Sequence, residues 1–308
     1  MRFADLKSIM EGPEMRSTYV VSGEVDGMHK KHQETLLTLL REFDRVCRQL
    51  DVSYTLFAGT MLGAVRHKGF IPWDDDVDVL MLREDYERFL AEAHTVLDQK
   101  TFFLQKEFSD HWPMFFSKLR LNNTTCLETY HPKDPLTHQG VYIDIFPCDC
   151  ARRSKMGRRI QFLASKVVIA KSLWRRGYEA SGFKKKVFIT LCRMLPQKPF
   201  LAIARGGSKT SEYVHTFFGA ASSYSKNVYL REYFEFTEKL PFEGEEFSVS
   251  SHAGELLEIL YGDYMQLPPP EERRIKQHAV LIDLEHSYEM YREYQKELKF
   301  EVLTRSIR

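Results

Sequence analysis

The sequence predicts a mixed α/β (α+β) core, because helix-period and strand-period segments interleave along the chain. A helical stretch at about 28–50 runs straight into a β-rich segment, Ser53-Tyr54-Thr55-Leu56-Phe57-Ala58. An acidic-then-apolar run, residues 74–81, leads into an amphipathic helix at 84–97. An alternating strand, 141–146, follows further on. The chain has 308 residues, 43% apolar and 28% charged, which excludes disorder and collagen-like repeats as whole-chain readings.

Each element has a local reason. Leu36, Leu40, Phe43, Cys47 and Leu50 recur at spacings of three and four, the period of one helix face. The run 53–58 is aromatic and β-branched, and Gly59-Thr60 breaks it. Thr60 is the expected N-cap of a short helix over 61–67. Pro72 pushes Ile71 into extended backbone in the loop that follows. Further strands are predicted at 114–121 and 141–146, and one near 18–21. Helices are predicted at 160–174 and 183–195, ending at Pro196 and Pro199. Residues 234–236 and 247–249 flank Pro241-Phe242-Glu243-Gly244 like a hairpin. A helix at 256–261 stops at Gly262, and a tail helix is predicted from about 271.

Net charge is +1, but it is unevenly distributed. Residues 151–209 hold sixteen Lys/Arg and one acid, a net +15, leaving −14 for the rest of the chain. Such asymmetry concerns partners rather than fold. The longest apolar stretches are broken by Lys or Arg, and the first residues lack the apolar core of a secretion signal. Five scattered cysteines do not suggest a disulfide framework. A cytoplasmic location is expected.

The acidic cluster carries the chemistry. Asp74, Asp75, Asp76 and Asp78 fall within five residues and repel one another unless a cation or solvent relieves them. On a strand, Asp76 and Asp78 share a face with Cα atoms roughly 6–7 Å apart, while Val77, Val79 and Met81 face the core. Oxygen-only ligands suit Mg²⁺ or Mn²⁺. A solvated acidic turn is the plain alternative. A calcium-binding EF-hand loop is excluded, since Val79 replaces the required Gly and Asp85 the bidentate Glu. Asp144 lies between Tyr142 and Phe146 on the face opposite Val141, Ile143 and Ile145. So apolar a setting demands a partner, either a metal shared with Asp76 and Asp78 or a buried Arg or Lys.

The run from Leu56 to Asp78, LFAGTMLGAVRHKGFIPWDDDVD, resembles the signature of the LicD family, which contains phosphocholine transferases and fukutin-type proteins. The resemblance continues in Lys118-Leu119-Arg120, Ile143-Asp144-Ile145-Phe146-Pro147, Leu240-Pro241-Phe242-Glu243-Gly244 and Tyr261-Gly262-Asp263-Tyr264, covering roughly residues 28–280. It implies a nucleotidyltransferase-like mixed sheet flanked by helices, with an inserted basic helical segment. The domain reading is an N-terminal extension, 1–27, and a catalytic core, 28–150. A basic insertion, 151–215, and a C-terminal part completing the substrate site, 216–308, follow.

The resemblance also implies a reaction: transfer of a phospho-alcohol, usually phosphocholine, from a CDP-alcohol donor such as CDP-choline to a hydroxyl of a glycan or lipid-linked glycan acceptor. Asp76, Asp78 and Asp144 are the expected catalytic metal ligands, with Asp74 a weaker fourth and Mg²⁺ (or Mn²⁺) the cofactor. Asp144 is the candidate for deprotonating the acceptor hydroxyl. Gly59 and Thr60 would let backbone N–H groups approach a phosphate. Arg66, His67 and Lys68 add positive charge, His67 more as a structural hydrogen-bonder than a base. Lys118 and Arg120 face one side of a strand, and the family match marks them as substrate-binding. Trp73 and Tyr142 are candidates for a choline pocket by cation–π contact, or for core packing. Asp263 is expected near the donor. Cys148 and Cys150 lack the partner pair a zinc site needs.

Three other functions remain open at this level. They are nucleoside monophosphate transfer, sugar transfer by a D-x-D enzyme, and non-catalytic binding to a membrane surface. The two basic helical stretches suit a peripheral membrane contact through 151–209 at the inner face of the cell membrane, and no nucleic acid partner is expected.

Overall fold

The computed structural model describes residues 18–20, 27–128, 134–178, 182–206, 211–216, 220–221, 223–225, 227–275 and 278–292. The strands among them are β1 (Thr18–Val20), β2 (Thr55–Leu56), β3 (Asp78–Leu82), β4 (Phe102–Gln105), β5 (Ser117–Leu121) and β6 (Thr125–Glu128). They continue with β7 (Tyr142–Cys150), β8 (Tyr213–His215), β9 (Val228–Leu230), β10 (Thr237–Phe242), β11 (Glu245–Ser250) and β12 (Ala279–Asp283). The helices are α1 (Gly27–Leu50), α2 (Ala58–His67), α3 (Arg83–Glu92), α4 (Lys155–Arg176), α5 (Phe183–Met194), α6 (Gln197–Arg205) and α7 (Ala253–Tyr261).

The apolar stripe predicted for α1 is its buried face: Leu36, Leu40, Phe43, Cys47 and Leu50 all enter the core. That core is closed by a mixed sheet in the order β2-β3-β7-β5-β4. β3 and β7 run parallel; the other neighbours on this path are antiparallel. β8 continues the sheet from the end of β7, and β9 pairs with β8. β3 is an interior strand, and Val79, Leu80 and Met81 are buried on both faces, as a continuous apolar run there requires. A smaller sheet, β1-β12-β6, packs beside it. The mixed α/β expectation holds.

Several boundaries differ from the sequence prediction. The strand at 114–121 begins at Ser117, and the one at 74–81 begins at Asp78. α2 begins at Ala58, with Phe57 at the N-cap and no side-chain cap. Thr60 therefore sits inside the helix, where its Oγ1 accepts from the Asp78 N–H at 2.9 Å. A cap was the local use of this hydroxyl, but the strand outcompetes the helix for it. α6 was not foreseen, because Pro196 and Pro199 read as a stop. Pro196 instead takes the N-cap position of a new helix, and Pro199 falls in its first turn, where a missing N–H costs nothing.

The predicted tail helix is corrected. Residues 270–272 form one 3-10 turn, and 279–283 are strand β12. Leu281-Ile282-Asp283 pairs with both β6 and β1 and buries Leu281 and Ile282, an outcome that two distant strands decide. Residues 293–308 lie outside those described. The hairpin is real, but its first strand starts at Thr237 because Arg231–Phe234 form a 3-10 turn. Glu243 and Gly244 both adopt positive φ, 52° and 80°, as a two-residue hairpin turn demands.

That turn braces the loop after α2. The Glu243 N–H donates to the Lys68 carbonyl at 2.9 Å, and Glu243 Oε1 accepts from the Phe70 N–H at 2.9 Å. Gly63 faces the same loop, where a Cβ would lie 2.4 Å from the Gly69 carbonyl oxygen. Gly63→Ala should therefore force backbone apart and destabilise the fold by roughly 1–3 kcal/mol, measured as a lower midpoint in chemical denaturation.

Candidate active site

Strand register brings the expected residues together. Asp78 lies opposite Asp144 across the parallel β3–β7 ladder, and Asp144 lies opposite Lys118 across the antiparallel β7–β5 ladder. Residues directly opposite one another share a face. Asp78, Asp144 and Lys118 thus form one row across three strands. The ladder extends before β3, where the Val77 carbonyl accepts from the Asp144 N–H at 2.9 Å. The alternation foreseen for the acidic run survives in this lead-in. Asp74, Asp76 and Asp78 are half-buried, while Asp75, Val77 and Val79 are buried.

The lead-in is held from below by α1. The Gln33 amide donates to the Asp74 carbonyl at 2.9 Å, His29 Nε2 to the Pro72 carbonyl at 3.0 Å, and His32 Nε2 to the Asp75 carbonyl at 3.1 Å. Burial lowers the His32 pKa to about 4, so its ring stays a neutral donor. The Asp75 carboxylate is engaged by His278. Its Oδ1 accepts from His278 Nδ1 at 2.7 Å, and its Oδ2 from the His278 N–H at 3.2 Å. This bond is the main cause that lifts His278 to about 9. Asp76 Oδ2 lies 3.4 Å from the same Nδ1. Donor atoms of Asp75, Asp76 and His278 lie within 4.8 Å of one another, the spacing of a metal cage. We read them instead as a hydrogen-bonded Asp75–His278 pair with Asp76 in ion-pair contact, because Nδ1 already donates to Asp75.

Asp76, Asp78 and Asp144 titrate high. Burial, joined by Asp75 and Asp144 against His278 and Lys118, raises Asp76 to about 6. Burial, then Asp76 and Asp144, pushes Asp78 well up. Burial raises Asp144 too, although Lys118 Nζ lies 3.0 Å from its Oδ1. Among the described residues Asp78 has no Lys or Arg within ion-pair distance. A cluster of oxygen ligands that repel one another and face partial solvent is the donor set a hard divalent cation favours.

Beneath the row is a buried cationic layer. Lys118 and Arg120 do face one side, but that side is interior, and both are fully buried. Lys118 Nζ reaches Glu128 Oε1 at 3.4 Å and sits 3.1 Å above the Tyr142 ring. Arg120 donates to Gln105 at 2.7 Å and to the Gly140 carbonyl at 2.7 Å, with Glu128 3.5 Å away. Arg176, in the last turn of α4, pairs with Glu128 at 2.8 Å. Tyr142 is buried, its ring face covered by Lys118 and its hydroxyl bonded to Glu128. Of the two alternatives given for Tyr142, this is core packing. Burial pushes Glu128 up, but Arg176, Lys118 and Arg120 outweigh it and hold the carboxylate well below its usual range.

Beside the acidic row opens a cleft of about 280 Å³. Gly59, Arg66, Trp73 and Asp74 line one part, and Tyr261, Asp263 and Tyr264 another. A Cβ at Gly59 would meet Asp74 Oδ2 at 2.8 Å, so a larger residue there would displace that carboxylate. Arg66 Nη1 donates to the Tyr264 carbonyl at 2.5 Å, tying α2 to the bend after α7. Gly262, at φ 71°, makes that bend. His67 packs edge-on to Trp73 and is not in the cleft lining. Lys68, at φ 56°, ends α2 in the left-handed region and is also outside the lining. Next to Gly59, Ala58 holds φ 47°, a strained value for a non-glycine residue.

Glu128, Arg176, His278 and the α1 trio His29, His32 and Gln33 were not foreseen. Each is distant in sequence from the acidic run and carries no local motif. The five cysteines are all buried and unbridged.

The sheet, the half-buried carboxylates and the adjoining cleft define a transferase of nucleotidyltransferase-like fold. Residues 51–174 match the family described as LicD/FKTN/FKRP, nucleotidyltransferase domain. The chain is 30% identical over 261 residues to the lipopolysaccharide cholinephosphotransferase LicD of Haemophilus influenzae, covering 80% of this chain and 94% of that protein. It is 41% identical over 78 residues to the ribitol 5-phosphate transferase FKRP of human and of mouse, covering 23% of this chain and 16% of each relative. The chain belongs to the LicD family and is an enzyme of the phosphotransferase class.

Glu128→Gln should leave three buried cations undercompensated and destabilise the protein by about 3 kcal/mol. Because the Glu128 pKa is depressed, its contribution is present above the ordinary value of 4.5 and is lost as pH falls through the folded value. Denaturation midpoints measured against pH should therefore fall less steeply on the acid side in the variant than in the native protein.

Proposed function

We propose that the protein moves a phospho-alcohol group, phosphocholine first among the candidates, from a CDP-activated donor to a hydroxyl of a cell-surface glycan or its lipid-linked precursor. The observation that carries this reading is the half-buried row of Asp78 and Asp144, with Asp76 beside it, adjoining a cleft walled by Arg66 and Trp73. The two transferase relatives, one handling choline phosphate and the other ribitol phosphate, support a phospho-alcohol as cargo.

In this reading Asp76, Asp78 and Asp144 hold Mg²⁺ (or Mn²⁺), with Asp74 at the margin. The ion, when bound, neutralises the pyrophosphate of the donor and stabilises departing cytidine monophosphate. The donor lies in the cleft, where Arg66 supplies positive charge and the start of α2 offers backbone N–H groups next to Gly59. Trp73 is the aromatic wall for a quaternary ammonium; Tyr142 is not, because Lys118 occupies its face. Asp144 accepts the proton of the acceptor hydroxyl as that oxygen bonds to the transferred phosphorus and the bond to cytidine monophosphate breaks. Asp263 shapes the donor wall. Lys118 and Arg120 act from beneath, fixing Asp144 and Glu128 rather than touching substrate. We place the reaction in the cytoplasm, in keeping with five unbridged thiols.

Incubating the protein with Mg²⁺, a panel of CDP-alcohols and a glycan acceptor should release cytidine monophosphate and label the acceptor with phospho-alcohol. Nucleotide on the acceptor instead would indicate nucleotidyl transfer, and dependence on a nucleotide-sugar would indicate sugar transfer. Asp76→Asn and Asp78→Asn should each lower turnover by about 10³-fold, the several kcal/mol a lost metal ligand removes, with the thermal midpoint retained. Near-native turnover in Asp76→Asn would refute the assignment.

A further inference from the structure

The basic segment turns an unpartnered apolar face outward. α4 and α6 pack together through Ala164, Val168 and Ala204, with Phe200, Leu201 and Ile203 against them. α5 packs on α4 by only one edge, burying Ile189 and Cys192 against Ala170, Val167 and Trp174. The rest of α5 is exposed. Phe183 is 81% exposed, Leu191 61% and Met194 80%, with Val187 completing a stripe at spacings of four, four and three. One such residue is ordinary on a protein surface, but a continuous helical stripe of large apolar side chains is not. α4 adds exposed Met156, Ile160 and Leu163 at the same kind of spacing.

Charge identifies the occupant. Between residues 182 and 206 there are six Lys/Arg and no Asp or Glu. Lys184, Lys185 and Lys186 follow directly on Phe183 at the start of α5 and are exposed. Among the described residues, Lys184, Lys186, Arg193 and Lys198 pair with no acid. A cluster of exposed lysines beside an exposed apolar stripe suits a phase that is anionic at its surface and apolar beneath it. No single described helix is long and apolar enough to cross a membrane. α5 and α6 together reach that length, but they meet at a 103° bend, and α6 is committed to α4.

We propose that α5 is an interfacial membrane helix, which lies in the headgroup plane of an anionic bilayer with Phe183, Val187, Leu191 and Met194 inserted and Lys184 and Lys186 on the lipid phosphates, while Lys185 stays bonded to the Tyr178 hydroxyl. Binding is peripheral and reversible, since one short helix inserts and the attraction decays within a Debye length. The proposal deepens the reading above by supplying a route to a lipid-linked acceptor. It is tested apart from catalysis.

The test is co-sedimentation of the full chain with phosphatidylglycerol-containing and pure phosphatidylcholine vesicles across a salt series. We expect binding to the anionic vesicles to be tighter by at least about tenfold at low salt and to weaken as salt rises. Replacing Lys184 and Lys186 together by Glu should weaken it by about a hundredfold or more. Leu191→Asp should abolish vesicle binding while the thermal midpoint stays native. Equal, negligible binding to both vesicle types would overturn the proposal, as would full retention of binding by Leu191→Asp, which would leave charge alone at work. A concentration-dependent dimer in light scattering that Leu191→Asp dissolves would also overturn it, by showing that a second copy covers the face. Cytidine monophosphate release from the same samples reads the transferase chemistry separately.

Discussion

Asp78 and Asp144 face one another on adjoining strands with Asp76 beside them, a crowding of negative charge that Lys118 offsets at Asp144. Its ammonium lies 3.0 Å from Asp144, 3.4 Å from Glu128 and directly over the Tyr142 ring. Burying a lysine is costly, and only a complete set of partners offsets that cost. Burial lowers the Lys118 pKa while Asp144 and Glu128 raise it, and the net shift is downward. The surrounding layer follows from this. Glu128 faces three cations, Arg120 is bonded to Gln105 and Gly140, and Tyr142 lends its face and its hydroxyl. The open side of the same row is left with carboxylates, where the proposed cation would bind.

The rest of the catalytic core serves to hold the acidic lead-in rigid at the mouth of the cleft. Helix α1 does so with side chains, giving His29, His32 and Gln33 to successive carbonyls of the loop. Helix α2 does so with Thr60, which ties the first residue of β3 to the helix. The β10–β11 turn does so with Glu243, which fastens the far end of the same loop. Such an arrangement fixes charges before substrate arrives, so little reorganisation is left for the reaction itself.

The basic segment is joined to this core in two ways. Arg176 at the end of α4 completes the ion pairs around Glu128. Near β7, Arg83 bridges Glu107 and Asp149, and Arg205 from α6 also pairs with Glu107. A small cavity of about 50 Å³ remains beside that network. α4 and α6 are therefore structural parts of the enzyme, and α5 is the element with an apolar face to spare.

The sequence alone determined the interleaved α/β character, the apolar face of α1, the α2–loop–β3 unit and the alternation that sets Asp76 and Asp78 apart from Asp75. These depend on periodicity, and periodicity is local. Asp144 was also legible, as an acid in an apolar strand, but the choice between a metal and a buried cation was not. The structure places Lys118 beside Asp144, with Asp76 and Asp78 close enough that Asp144 helps to raise both of their pKa values. Tertiary structure alone decided that Lys118 and Arg120 face inward and that Thr60 serves a strand rather than a helix end. It likewise decided that 279–283 is a strand and that Glu128, Arg176 and His278 converge on the site. Each of these rests on a partner tens to hundreds of residues away, and a strand's inward face, or a hydroxyl's acceptor role, is fixed only when that partner is in place.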